Sequence, residues 1–231
     1  DIRNVIERSS ARETAMRVAL SSVCRKLLEE VGINVCSRVV QILDVCDDTI
    51  FNIDKGYEET NTLIDKSVVR CQNIQVEQMM IDAIDSAKKN GDSVGGVIEI
   101  NCGGAPFGLG SYTQWHHKLQ SKISEMLMSI NAFKGIEFGL GFNSSKKFGS
   151  KVHDQIEIEN SSIKRTSNNA GGIEGGMSNS EAINIKLSIK PIPTLTKPLK
   201  SFDIDTLENK KAHQERTDSC VVPSASIIAE N

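Results

Sequence analysis

The stretch Ser167–Thr194, SNNAGGIEGGMSNSEAINIKLSIKPIPT, sets the reading of the rest. Its first half is polar and glycine-rich, and Gly171, Gly172, Gly175 and Gly176 allow positive φ and a close backbone approach to an anion or other ligand. Ile183, Ile185, Leu187 and Ile189 then alternate with Asn184, Lys186 and Ser188, the period of two expected of a strand with one buried face. Lys190-Pro191-Ile192-Pro193 ends the strand, because two prolines fix φ and remove two backbone donors, and Lys190 is expected near the loop's end of the strand. The loop is neither G-x-G-x-x-G nor a P-loop, and it leads into a strand where those motifs lead into a helix. Taken alone, such a loop is more often a structural turn than a ligand site.

Working outward, Ser10 stands three residues before Glu13 as a capping box and opens a helix to about Val31. Ala15, Ala19, Val23, Leu27 and Val31 form one apolar stripe and Met16, Leu20, Cys24 and Leu28 the next, so this helix is expected to be central and buried. Its start, with Arg8, Ser9, Ser10 and Arg12, suits a phosphate, or is an ordinary capped helix with surface arginines.

Ile33–Leu43 reads as a β-branched strand, followed by a short strand and a loop over Asp44–Asn61. A helix over Val76–Lys89, with Met79 and Met80 as core filler, precedes a strand over Val94–Cys102. A third helix is expected over Thr113–Ile130 and a strand over Ile136–Phe142, with its glycines allowing close approach. Asn143–Thr166 reads as a mobile loop, with His153-Asp154 as a local hydrogen-bonding device, and Thr196–Glu215 as a charged stretch with a turn or short helix near Leu207. Arg216 and Asp218, two apart on an extended segment, face one way and bracket a ligand or form a surface ion pair.

The 231 residues, 39% hydrophobic and 25% charged, are enough for a sizeable core. A net charge of -3, without a Lys/Arg run interleaved with aromatics, gives no nucleic-acid footprint. Cys24, Cys36, Cys46, Cys71, Cys102 and Cys220 show no C-x-x-C pair and no zinc-type spacing with His116, His117, His153 or His213, so reduced thiols and no metal are expected. No apolar run of transmembrane length and no signal peptide is visible, which places the expectation in the cytoplasm, without a membrane.

Taken in order, RSSARETAMRVA (8–19), SVGGVIEI (93–100), APFGLGS (105–111), MSINAFKGIEFGLGF (128–142), GSKVHD (149–154), SNNAGGIEGGMSN (167–179), KPIPTL (190–195) and ERTDSCVVPSASIIAEN (215–231) resemble the chorismate synthase family. The resemblance implies an α+β fold, a β-α-β sandwich with helices packed between antiparallel sheets, and a homotetramer. It implies a lyase of the shikimate pathway that converts 5-enolpyruvylshikimate-3-phosphate to chorismate and phosphate with reduced FMN, leaving open whether NADPH or an external reductase reduces the flavin. By the same resemblance FMN is held by Arg8, Ser9, Ser10, Asn131, Ala132, Gly175, Lys190, Pro191, Ile192, Pro193, Thr194 and Arg216. Arg12 is implied for the substrate's phosphate or carboxylate, and Asp218 as the catalytic carboxylate near flavin N5. The family's G-[ED]-S-H-G and H-A-D motifs, and their acid/base histidines, do not occur here, and Ser219 and Ser224 stand where some members have proline and arginine. Residues 1–231 are therefore expected to be a partial domain, inactive alone, with an N-terminal segment and a C-terminal tail outside it. The rival expectations are a non-catalytic flavin- or phosphate-binding module and a purely structural oligomerisation domain.

Overall fold

The computed structural model describes residues 2–159, 161–214 and 217–231, apart from the side chains of Ile2 and Ile6. In chain order the helices are α1 (Ile2–Ser9), α2 (Thr14–Glu30), α3 (Tyr57–Ile64), α4 (Ile74–Lys89), α5 (Leu119–Met128) and α6 (Val222–Glu230). The strands are β1 (Asn34–Ile42), β2 (Val45–Cys46), β3 (Gly96–Gly103), β4 (Phe133–Phe138), β5 (Ile156–Glu159), β6 (Ser162–Arg165), β7 (Ile173–Glu174), β8 (Met177–Ser178), β9 (Ile183–Ile189), β10 (Lys200–Phe202) and β11 (Asn209–Lys211).

Five strands form one antiparallel sheet in the order β2-β1-β3-β9-β4, and the alternating strand expected over 183–189 is β9, between β3 and β4. Ile183, Ile185, Leu187 and Ile189 are all buried, each contributing on the order of 1.5–3 kcal/mol. They share a core with Ile98, Ile100, Phe133, Met80, Leu127, Val222 and Ala225, drawn from the sheet and from α4, α5 and α6. The other sheet face is polar, and register sets Arg38, Glu99, Lys186 and Glu137 side by side across β1, β3, β9 and β4. This architecture is α+β with antiparallel sheets.

Several expectations are corrected. Helix α2 is not buried: Thr14 is its one buried residue, and Met16, Leu20, Val23 and Leu27 are 64–71% exposed, because α2 meets α6 and β1 through another face. The capping box is one-sided, since Ser10 Oγ accepts from Arg12 N at 3.3 Å while the Glu13 carboxylate is drawn to Arg17 Nε at 2.9 Å. Lys190 and the glycine loop lie at opposite ends of β9, which at seven residues is about 20 Å long. Of the two methionines of α4, Met80 is fully buried and Met79 is 56% exposed.

The polar 44–61 stretch ends inside α3 (Tyr57–Ile64), which its weak periodicity did not announce. The third helix is confined to α5, after a 3-10 turn at Trp115–His117. Strand β4 starts earlier than expected and stops at Phe138, because Gly139 and Gly141 take φ of 55° and 52°. A Cβ on Gly139 would stand 2.1 Å from Asn169 O, so the close approach expected there is to the 167–172 loop. The 143–166 segment holds the hairpin β5–β6, and 196–215 holds β10–β11, with Leu207 at φ 58° between those two strands.

The anion expected in the glycine loop comes from the chain itself. Asp154 accepts from Ser167 Oγ at 2.5 Å, Asn169 N at 2.7 Å and Ala170 N at 2.9 Å. His153-Asp154 is thus the local hydrogen-bonding device expected of it, through the carboxylate. Burial raises the Asp154 pKa, but the bonds from Ser167, Ala170 and Asn169 and the charge of Arg165 outweigh it, holding the carboxyl below its usual range.

Candidate functional site

Four segments far apart in sequence meet beside the C-terminal end of β9. The first is the break between α1 and α2. Arg8 and Ser9 close α1, and Ser10, with φ −68° and ψ 136°, turns the chain into a short 3-10 segment, so these residues end one helix where they were expected to begin another. Arg8 and Arg12 are exposed.

The second segment is the turn after α5. Asn131 Nδ2 donates to Ser9 O at 2.9 Å, and Arg17 NH1 donates to Ser129 Oγ at 2.6 Å, so this turn is bonded to the α1–α2 break and to α2. Ala132 takes φ 73°, a left-handed conformation that redirects the chain into β4. The third segment is the exit of β9, where Lys190 N donates to Ala132 O at 2.9 Å. Proline at 191 and 193 leaves the exit short of donors, and its carbonyl at Ile192 accepts from Ser93 Oγ at 2.6 Å.

The fourth segment carries Asp218. Val94 N donates to Ser219 O at 2.8 Å, and Val94 and Cys220 form a parallel bridge. Asp218 is exposed at the start of this contact, and Arg216 lies outside the described residues. Behind Asp218, α6 is pinned by Glu230. That carboxylate accepts from Arg25 NH1 at 2.5 Å, Ser37 Oγ at 2.6 Å, Arg70 NH2 at 2.9 Å and Asn61 Nδ2 at 3.2 Å, with 6% of its side chain exposed. Burial pulls the Arg70 pKa down, and the Glu230 charge opposes it.

Of the residues named from sequence, Arg8, Ser9, Ser10, Arg12, Asn131, Ala132, Lys190–Thr194 and Asp218 are thus linked, directly or through Ser93 and Val94. Gly175 is not among them. It sits in the exposed turn of the β7–β8 hairpin with φ 60°, and its neighbour Gly176 accepts from Leu119 N at 2.8 Å. That is the N-terminal end of α5, whereas Asn131 follows the C-terminal end, about 15 Å away along a ten-residue helix. Sequence reasoning missed Ser93 and Gly95 as contacts of the site. The paired glycines in SVGG, just ahead of a strand, were the available signal.

Among the described residues, the guanidinium groups of Arg8 and Arg12 and the ammonium of Lys190 have no ion-pair partner, and the Asp218 carboxylate has none either. Three uncommitted cations, the Ser10 and Thr194 hydroxyls and the Asn131 amide suit a ligand with an anionic phosphate and a polar heterocyclic edge. A free carboxylate nearby can accept or hold a proton. The donor set therefore fits the phosphate and ring of FMN.

A family model described as chorismate synthase matches residues 1–231. Chorismate synthase 2 of Bacillus cereus is 49% identical over all of this chain and 59% of its own length. Chorismate synthase of Alkaliphilus metalliredigens is 50% identical over all of this chain and 60% of its own. A crystal structure of chorismate synthase superposes with a TM-score of 0.83 at 37% identity, covering 100% of this chain and 63% of that one. The chain thus spans about 59% of the length of the curated relatives it matches.

Proposed function

The chain belongs to the chorismate synthase family, and on that premise we propose that the complete protein converts 5-enolpyruvylshikimate-3-phosphate to chorismate and inorganic phosphate. The reaction is a 1,4-anti elimination: a proton leaves C6, the C3–O bond to phosphate breaks, and a second ring double bond forms. No net oxidation occurs. Bound reduced FMN would supply transient electron density that eases loss of the allylic phosphate.

The chain's own residues have three tasks in this reading. Arg8, Ser9, Ser10, Asn131, Ala132 and Lys190–Thr194 hold the flavin and fix its plane, with Arg216 assigned the same task by similarity. Arg12 neutralises the phosphate or carboxylate of the substrate, and a cation placed where charge develops on the leaving group lowers the barrier. Asp218 receives or relays a proton at its carboxylate. Gly175, a helix length from Asn131, serves the flavin site only across that distance or from another copy of the chain. A homotetramer of a cytoplasmic enzyme, reduced through NADPH or an external reductase, completes the proposal.

The observation that carries this reading is the convergence of the α1–α2 break, Asn131-Ala132 and Lys190–Thr194, bonded to one another with their cations unpaired. It is tested by assaying chorismate and phosphate formation by the complete protein with reduced FMN, beside the 231-residue chain alone. Activity of the complete protein and none of the isolated chain is expected, since no histidine here lies in the family's acid/base motifs. Flavin binding without elimination by the complete protein would favour a binding module.

A further inference from the structure

The connection between α4 and β3, residues 90–95, grips the β9 exit on one side and the Asp218 segment on the other. Gly91 O accepts from Lys197 N at 2.9 Å, and Ser93 Oγ donates to Ile192 O at 2.6 Å. A Cβ on Gly95 would stand 2.2 Å from Ile189 O and 2.9 Å from Pro191 N, so only glycine lets the exit lie this close. On the other side, Val94 N donates to Ser219 O at 2.8 Å, one residue beyond Asp218.

We propose that Ser93 and Gly95 are positioning residues that hold residues 190–194 at a fixed offset from Asp218, so that a flavin bound by the first meets the carboxylate of the second. The inference rests on the function proposed above. With proline at 191 and 193, the exit has few backbone donors with which to fasten itself, and the Ser93 hydroxyl supplies a fastening through the Ile192 carbonyl instead. Ser93 is 8% exposed, so its hydroxyl bond is shielded from competing water. Ser93 acts through Ile192 and Gly95 through Pro191, while Val94 between them carries the link to Ser219, and a shift of the exit by a fraction of an ångström changes alignment more than it changes binding.

The test uses the complete protein and its Ser93→Ala and Ser93→Thr variants. Steady-state kinetics at saturating reduced FMN, the absorption spectrum of bound flavin and thermal melting are measured. Ser93→Ala is expected to lower kcat by roughly tenfold, to alter the bound-flavin spectrum and to leave KM for 5-enolpyruvylshikimate-3-phosphate within about twofold. Ser93→Thr, which keeps the hydroxyl, is expected to recover most of kcat. An active parent with kcat and spectrum unchanged in Ser93→Ala, or a Ser93→Thr variant as slow as Ser93→Ala, overturns the positioning role alone. A parent that binds no FMN overturns the functional reading and this inference with it.

Discussion

Lys190 N donates to Ala132 O across 2.9 Å, and Ala132 can present that carbonyl because it holds φ at 73°. The left-handed conformation costs an L-residue about 1–2 kcal/mol, and a β-branched side chain more. Ala132→Gly is expected to be neutral to about 1 kcal/mol more stable, and Ala132→Val to lose about 1–3 kcal/mol and weaken FMN binding. Urea denaturation of the two variants checks the signs.

Asn131 joins the same site from the other side, through its 2.9 Å bond to Ser9 O on an exposed surface. Its loss costs the fold little, on the order of 0.5–1 kcal/mol, whereas the proposed loss for FMN is larger. Asn131→Ala is expected to bind FMN about tenfold more weakly with a nearly unchanged urea midpoint. An FMN titration beside the denaturation curve separates the two effects.

Glu230 gathers Arg25, Ser37, Asn61 and Arg70 into one buried cluster, and Arg70 is also paired with Asp65. Replacing the carboxylate leaves the buried Arg70 charge short of a partner, at a cost of about 3–5 kcal/mol before the Asp65 pair reduces it. Glu230→Ala is expected to lose about 3 kcal/mol, and Glu230→Gln, which keeps one acceptor oxygen for these donors, less. Denaturant midpoints of both variants in the complete chain test the order.

Asp154 links the glycine loop to acid stability. Its folded pKa is depressed, so the stability it contributes is fully present above its unfolded pKa of about 4 and is lost as pH falls through the lower folded value. The complete chain is expected to weaken below about pH 4, and Asp154→Ala to be less stable at pH 7 with a flatter dependence between pH 3 and pH 5. Urea midpoints across that range decide it.

The thiols divide by burial. Burial pushes Cys36 up to about 12, and Cys71 and Cys102 up to about 11, while Cys46 is exposed. Since the thiolate is the reacting form, iodoacetamide at neutral pH is expected to label Cys46 well before these three. Peptide mapping after timed labelling reads the order.

How much of this was legible in the sequence follows from where the information lies. The alternation of Ile183–Ile189 marked β9 as a strand with one buried face, because such a strand must repeat every two residues. The site residues entered through motif resemblance, and no periodicity could have joined Ser9 to Asn131, 122 positions away. Helix α3 escaped because only Thr60 and Ile64 of its eight residues are buried, too few to print an apolar stripe. Helix α2 misled for the opposite reason: its stripe is there, but among the described residues nothing covers it. Of the two readings open for the glycine loop, turn or anion site, the start of the loop combines both: Ser167, Asn169 and Ala170 donate to Asp154, a partner thirteen residues upstream of Ser167 that local sequence could not assign.

Whether residues 8–12, 131–132 and 190–194 form a flavin site is decided by anaerobic FMN titration of the complete protein and of its Arg8→Ala and Lys190→Ala variants. Flavin absorbance is followed with and without 5-enolpyruvylshikimate-3-phosphate. Saturable binding that tightens with substrate is expected, with at least tenfold weaker binding in each variant, the loss of about one charge-assisted contact. FMN binding of undiminished affinity in both variants would contradict such a site.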